Sequence, residues 1–256
     1  MTARVYGWRR PRVRVHLADH APLTASQSAA LPDAVDLRPL CPEVYDQGAL
    51  GSCTANALAG AIEFLQLRQQ REGVPTPEVI RPSRLCLYRD ERAIEGTVAE
   101  DAGAVIGDGV AVLHDQGWVD ETDWPYEPTL FAAAPPLTAM RRAVRLADFT
   151  SLPHDVDVIR SKLAQGFPVV FGVQVYQQIE DTTDGTITLP GPNAGASIGG
   201  HAMELVGYDH AARVFRVRNS WGTSWGQSGY GTIPYDYVGS FALCDEVYSL
   251  EAVRAP

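Results

Sequence analysis

The periodicity of the chain switches partway along, and that switch limits the fold more than any other feature. Over residues 52–71, Ala55, Leu58, Ala59, Ile62 and Leu65 recur at i, i+3 and i+4 spacing, the repeat that lines one face of an α-helix. Ser52 is a candidate N-cap, and Gly73 with Pro75 is a stop. Further helices are predicted near 83–95, over 101–116 with a close at Gly117, and over 155–166 with a close at Gly166. Residues 123–136, with Trp124-Pro125-Tyr126, read as irregular. Beyond them the pattern turns strand-like. Residues 168–173, 202–208, 214–218, 229–233 and 246–250 are apolar or β-branched runs separated by turns. Helices gathered ahead of strands predict an α+β fold of two lobes with a cleft between them.

The 256 residues are 45% apolar, enough for one large domain or two small lobes. No run approaches the ~20 apolar residues of a membrane span. Residues 1–20 lack the apolar segment of a secretory signal, and the sequence after Arg9-Arg10 is too mixed for twin-arginine export. Cytoplasmic residence is the default expectation. A net charge of −10 argues against a nucleic-acid-binding body. The charge is uneven: Arg4, Arg9, Arg10, Arg12 and Arg14 against Asp19 make residues 1–20 net +4, leaving −14 for the remainder. Residues 12–17 alternate charged and apolar, as an extended segment would, and 18–34 read as a linker. The chain therefore divides into an arm, 1–30, and a compact body, 31–256, with lobes mainly over 44–145 and 146–245.

The chemistry gathers around Cys53, in Gln47-Gly48-Ala49-Leu50-Gly51-Ser52-Cys53. Cys53 opens the first predicted helix, where unpaired N–H groups and the helix dipole favour a thiolate. His201 follows two glycines and precedes a strand; Asn219 comes one strand and one turn later, so its amide can return to the imidazole and fix its tautomer. Gln47 supplies an N–H to a developing oxyanion beside the Cys53 backbone N–H. Trp221 can shield the His201–Asn219 bond from water. Taken singly, each has an ordinary structural reading: a core thiol, a structural histidine, a turn. A thiol at a helix start, an imidazole about 150 residues on and an amide after it together make a nucleophile set.

These blocks resemble those of the papain-like cysteine peptidases. Gln47-Gly48-x-x-Gly51-Ser52-Cys53 resembles the family's oxyanion and nucleophile block, and Gly200-His201-Ala202 with Val206-Gly207-Tyr208 its histidine block. Asn219-Ser220-Trp221-Gly222-x-x-Trp225-Gly226-x-x-Gly229-Tyr230 resembles its asparagine block, with Val35-Asp36-Leu37-Arg38 and Trp124-Pro125-Tyr126 as further markers. The resemblance covers about 31–250. It implies a helical left lobe carrying Cys53, a β-barrel-like right lobe carrying His201 and Asn219, and hydrolysis of peptide or protein substrates through an acyl-enzyme. It also implies that Gly103 and Ala104 pair with substrate backbone. Ile106, Gly200 and Ala202, with Trp221 nearby, would border a pocket for the second residue before the scissile bond. The apolar lining predicts a hydrophobic or aromatic residue there.

The sequence departs from the family pattern at Leu50, where a disulfide cysteine is usual, and at Thr54, where an aromatic follows the nucleophile. With some 30 residues ahead of the body, a helical pro-domain of about 100 residues is not expected. The basic arm is expected instead to lie along the acidic body, across the cleft, as a short inhibitory segment. Of the other cysteines, Cys86 reads as a core thiol, and a Cys41–Cys244 bridge has no support in the sequence. No metal or cofactor motif is present, and no nucleic-acid or membrane partner is expected. The alternatives to a peptidase are an amidase or acyltransferase on the same site, or a binding module that keeps the scaffold without the activity.

Overall fold

The computed structural model describes residues 5–12, 22–74, 78–140 and 146–254. Among them the helices are α1 Ala25–Ala29, α2 Cys53–Arg71, α3 Arg84–Glu95, α4 Ile106–Asp115, α5 Leu137–Met140, α6 Val156–Ala164, α7 Gln177–Asp181 and α8 Tyr235–Val238. The strands are β1 Ala34–Asp36, β2 Leu146–Ser151, β3 Val169–Val175, β4 Gly199–Asp209, β5 Val214–Arg218, β6 Tyr230–Pro234 and β7 Cys244–Arg254. The long helices precede the main strands, and the fold is α+β as the periodicity predicts. The predicted helix over 101–116 begins only at Ile106, because 101–105 is extended and Gly103 takes φ 71°. The predicted linker contains α1, whose Thr24–Gln27 capping box closes one exposed turn with no buried residue.

The strands form one antiparallel sheet in the order β2-β7-β3-β4-β5-β6, with β1 added against β4. Among the described residues β2 and β6 are its two ends and do not pair, so the sheet stays open. Helices α6–α8 also lie within the strand-rich half.

Helix α2 is the centre of the molecule. It packs on β3, β4 and β7 and also on α3 and α4. Residues 53–66 are buried all round, not on the single face that the spacing predicts. Contact with the sheet and with two helices leaves that stretch no solvent face. The same packing sets Cys53, the first residue of α2, beside the start of β4, which carries His201.

Two features fix the ends of the strands near the site. Arg218 closes β5 and pairs in the core with Glu204 of β4, Nη1 to Oε2 at 3.0 Å, while its guanidinium lies 4.7 Å over the Tyr45 ring. Gly60 of α2 makes room for that pair: a Cβ there would lie 2.3 Å from Arg218 Nη1. Asn219 follows Arg218 directly, so the pair anchors the backbone that presents it. The second feature is a bulge. Phe171 of β3 pairs with Val247, but Gly172 pairs with Asp245. Glu246 is the extra residue, at φ 53°, and a bulge of this kind re-aims a side chain.

Candidate active site

His201 and Asn219 meet as the spacing predicts. His201 Nε2 and Asn219 Oδ1 are 2.7 Å apart, and the same oxygen accepts the Ser220 N–H at 2.8 Å. Oδ1 is thus the acceptor and His201 carries its proton on Nε2, which makes Nδ1 the basic nitrogen of the neutral ring. Trp221 stacks on the imidazole at 4.5 Å between centroids, and Trp225 meets Trp221 edge-on at 5.9 Å.

Gln47 is fully buried and held at several atoms. Its backbone N–H donates to Ser220 C=O at 2.9 Å, and its side-chain Oε1 accepts from Ser220 Oγ at 2.6 Å. That second bond turns Nε2 outward as the donor; it reaches Leu50 C=O at 3.0 Å and Val5 C=O at 3.4 Å. Ser52 occupies the N-cap of α2 but makes no side-chain capping bond.

Cys53 is fully buried. Burial pushes its thiol up to about 11, against the opposing effect of backbone N–H groups from Ala202, Gly7 and Thr54. The helix terminus alone predicts a thiolate; removal from water outweighs it here. Part of that cover is the N-terminal arm, whose Gly7 N–H reaches the Cys53 sulfur.

Residues 5–10 run through the cleft. Ala104 N–H donates to Gly7 C=O at 2.7 Å, and Arg9 N–H to Ala104 C=O at 2.9 Å, a parallel bridge centred on Trp8. On the other wall Trp8 N–H donates to Gly200 C=O at 2.9 Å. Gly7 passes the nucleophile so closely that a Cβ on it would sit 1.7 Å from the Gly51 carbonyl oxygen, and a Cβ on Gly103 would sit 2.0 Å from the Gly7 oxygen. Trp8, 3% exposed, lies against Gly172 and Gly200. Its Nε1 donates to Glu246 Oε2 at 2.8 Å. Tyr6 pairs with Glu180 and meets Trp221 edge-on, Arg9 pairs with Glu95, and Arg10 donates to the carbonyls of Phe241 and Ala242.

Of the residues expected to touch substrate, Gly103, Ala104 and Gly200 contact the arm's backbone or its indole. Ala202 contacts the Cys53 sulfur, and Trp221 covers His201. Ile106 is a core residue whose backbone N–H, with that of Gly107, donates to Glu246 at 3.1 and 2.8 Å. Glu246 and Gly172 are pocket residues that the sequence reading missed. A glycine inside the run Val169-Val170-Phe171-Gly172-Val173 is a signal of close approach. Glu246 had no such signal, because its orientation comes from the bulge. Burial raises its carboxyl to about 7, against hydrogen bonds from Trp8, Gly107 and Ile106.

The arm was expected to be held through its alternating stretch, 12–17. Residues 13–17 lie outside the described residues, and the segment that fills the cleft is upstream, 5–10. Of the two departures, Leu50 is buried beside the site, and Thr54 donates through Oγ1 to the buried Glu91 at 2.7 Å. All four cysteines are free. Among the described residues there is no cluster that could hold a metal ion and no helix long and apolar enough to cross a membrane.

Comparison with known proteins gives a consistent result. The model of the papain family cysteine protease matches residues 31–249. A peptidase C1-like protein of Acanthamoeba polyphaga mimivirus is 35% identical over 253 residues, covering 91% of this chain and 79% of that protein. The crystal structure of xylellain, a cysteine protease from Xylella fastidiosa, superposes with a TM-score of 0.87 at 36% identity, covering 97% of this chain and 96% of that one. Digestive procathepsin L 3 of Tenebrio molitor shares the fold, with a TM-score of 0.68 at 22% identity over 98% of this chain and 76% of that one.

Proposed function

We propose, because the chain belongs to the papain family of cysteine proteases, that it cleaves peptide bonds through a Cys53–His201 pair. His201 Nδ1 takes the thiol proton, and the sulfur attacks the peptide carbonyl. The carbonyl oxygen, now an anion, lies between Gln47 Nε2 and the Cys53 N–H. As the C–N bond breaks, His201 returns the proton to the leaving amine. Water, deprotonated by His201, then hydrolyses the thioester and frees the second product. Asn219 holds the ring in the tautomer these steps need.

One observation favours a peptidase over an amidase or acyltransferase with a small substrate. The cleft holds an extended peptide, its own arm, by backbone hydrogen bonds from both walls, Ala104 on one side and Gly200 on the other. Such walls suit a polypeptide of varied sequence. The pocket that takes Trp8 fits a large aromatic residue second before the scissile bond. Glu246 at its end adds an acceptor for a side chain with an N–H.

The arm itself is read as self-inhibitory. Along it, Val5 C=O sits at Gln47 and Trp8 fills the pocket, so the chain runs from the oxyanion donors toward the pocket. A substrate must run the other way, from the pocket to the scissile carbonyl. The arm therefore presents Gly7 N–H, not a carbonyl carbon, to the thiol. Cytoplasmic residence belongs to the same proposal, and four free thiols suit a reducing compartment.

Stoichiometric labelling of Cys53 by a peptidyl epoxide, abolished in Cys53→Ala, separates an enzyme from a binding module. A peptide-library cleavage profile then tests the substrate class. Labelling without cleavage of any peptide would sink the peptidase reading in favour of the amidase or acyltransferase.

A further inference from the structure

We propose that Tyr126 is a positioning residue for the oxyanion site, an inference that rests on the roles given above to Gln47 and Cys53. Those two donors stand at opposite ends of one short turn, 47–53. Tyr126, far away in sequence, touches both ends with a single hydroxyl. Its oxygen lies 2.5 Å from Ser52 Oγ and donates to Gln47 C=O at 3.0 Å.

The direction of each bond follows from its neighbours. Arg84 is held by Glu121 through Nε at 2.8 Å and Nη2 at 2.7 Å, and its Nη1 donates to Asn56 Oδ1 at 3.1 Å. That bond orients the Asn56 amide, whose Nδ2 donates to Ser52 Oγ at 3.0 Å and to Ser52 C=O at 2.9 Å. Ser52 must then donate to Tyr126, and Tyr126 to Gln47. The Arg84 guanidinium also lies 4.2 Å over the Tyr126 ring. A directional relay therefore runs from the part-buried Arg84–Glu121 ion pair to the carbonyl of the residue whose side chain serves the oxyanion.

Ser52 gives the relay its purpose. A serine at an N-cap ordinarily accepts an N–H from the first turn of its helix. Here its hydroxyl is engaged by Asn56 and Tyr126 and does not cap α2, so the N–H groups that such a cap would take, those of Thr54 and Ala55, stay available, and that of Thr54 reaches the Cys53 sulfur. Without the Tyr126 hydroxyl, the Gln47 carbonyl keeps only the Leu50 N–H at 3.4 Å, and Ser52 is released to turn back onto the helix.

The test uses the full chain carrying Trp8→Ala to open the cleft, with and without Tyr126→Phe. On a peptide amide, Tyr126→Phe is expected to lower kcat about tenfold with KM within twofold. A peptide aldehyde adds to the thiol: the S–C bond forms, the carbonyl π bond opens, and the thiol proton passes to the oxygen, which occupies the same site. Its affinity is expected to fall about tenfold, whereas alkylation of Cys53 by a haloacetamide, which forms no oxyanion, stays within twofold. Combined with Gln47→Ala, Tyr126→Phe is expected to add little further loss. Unchanged kcat and aldehyde affinity, a parallel loss in alkylation, or losses that multiply with Gln47→Ala would overturn the proposal. If no peptide is cleaved even by the opened chain, the peptidase reading falls, and the aldehyde and haloacetamide measurements still decide the role of Tyr126.

Discussion

Replacing Trp8 by alanine should expose Cys53. The indole is 3% exposed, lies against Gly172 and Gly200, and ends in a 2.8 Å bond to Glu246. Truncating a buried tryptophan costs about 3–5 kcal/mol. Because the arm is bound within the same chain, that cost falls on the closed form and leaves the open form nearly untouched. At about 1.4 kcal/mol per factor of ten, the open fraction should rise between roughly a hundredfold and a few thousandfold, until the open form dominates. The assay is the second-order rate of Cys53 labelling by a peptidyl epoxide, with near-ultraviolet circular dichroism to confirm that the variant stays folded. Trp8→Phe keeps the ring and loses the N–H, so its rate should rise about five- to tenfold, the worth of about 1–1.5 kcal/mol for one hydrogen bond. Gly7→Ala should behave like Trp8→Ala, since its Cβ would meet the Gly51 oxygen at 1.7 Å. Labelling of Trp8→Ala at the wild-type rate, within twofold, would refute the arm as a bound inhibitor.

Asn219→Ala should leave KM nearly unchanged and remove part of the roughly 10²–10⁴-fold that general acid–base catalysis supplies; a wild-type kcat would refute its orienting role. Gly60→Ala drives a Cβ to 2.3 Å from Arg218 Nη1 and 2.7 Å from Glu204 Oε2. It should destabilise the fold by about 3–5 kcal/mol, as breaking a buried ion pair does, and a urea-unfolding loss below about 1 kcal/mol would contradict that. Glu246 titrates at about 7 in the folded chain against the ordinary 4.5. Between those values the folded chain keeps a proton that the unfolded chain has lost, so stability falls as pH rises through this window. The fall is on the order of 3 kcal/mol and levels off above about 7. Glu246→Gln should flatten that slope in unfolding measured from pH 4 to 8, and an unchanged slope would contradict the assignment.

Much of the fold was legible because the signals are local. A helical period identifies α2, and apolar or β-branched runs bounded by turns identify β3–β7, from neighbouring residues alone. The nucleophile, histidine and asparagine blocks can be read for the same reason: each is a contiguous run of a few residues. What could not be read was each feature made by distant segments. The full burial of α2 over 53–66 depends on packing from a sheet and from two helices. How far the strand-rich half curls depends on whether β2 and β6 meet, and no local pattern reports that.

The sequence by itself determined the chemistry on offer: a thiol opening a helix, an imidazole and an amide in that order, a glutamine upstream, and an arm whose charge opposes that of the body. The tertiary structure alone decided how those parts are governed. Trp8 and Glu246 are 238 positions apart, and they meet because a one-residue bulge in β7 turns a carboxylate into the pocket that the arm fills. Burial pushes the Cys53 thiol up to about 11, although the helix start by itself favours the thiolate. Spacing along a chain sets which groups a short segment can present. Desolvation and long-range contact set their protonation and their access, and these exist only once the chain is folded.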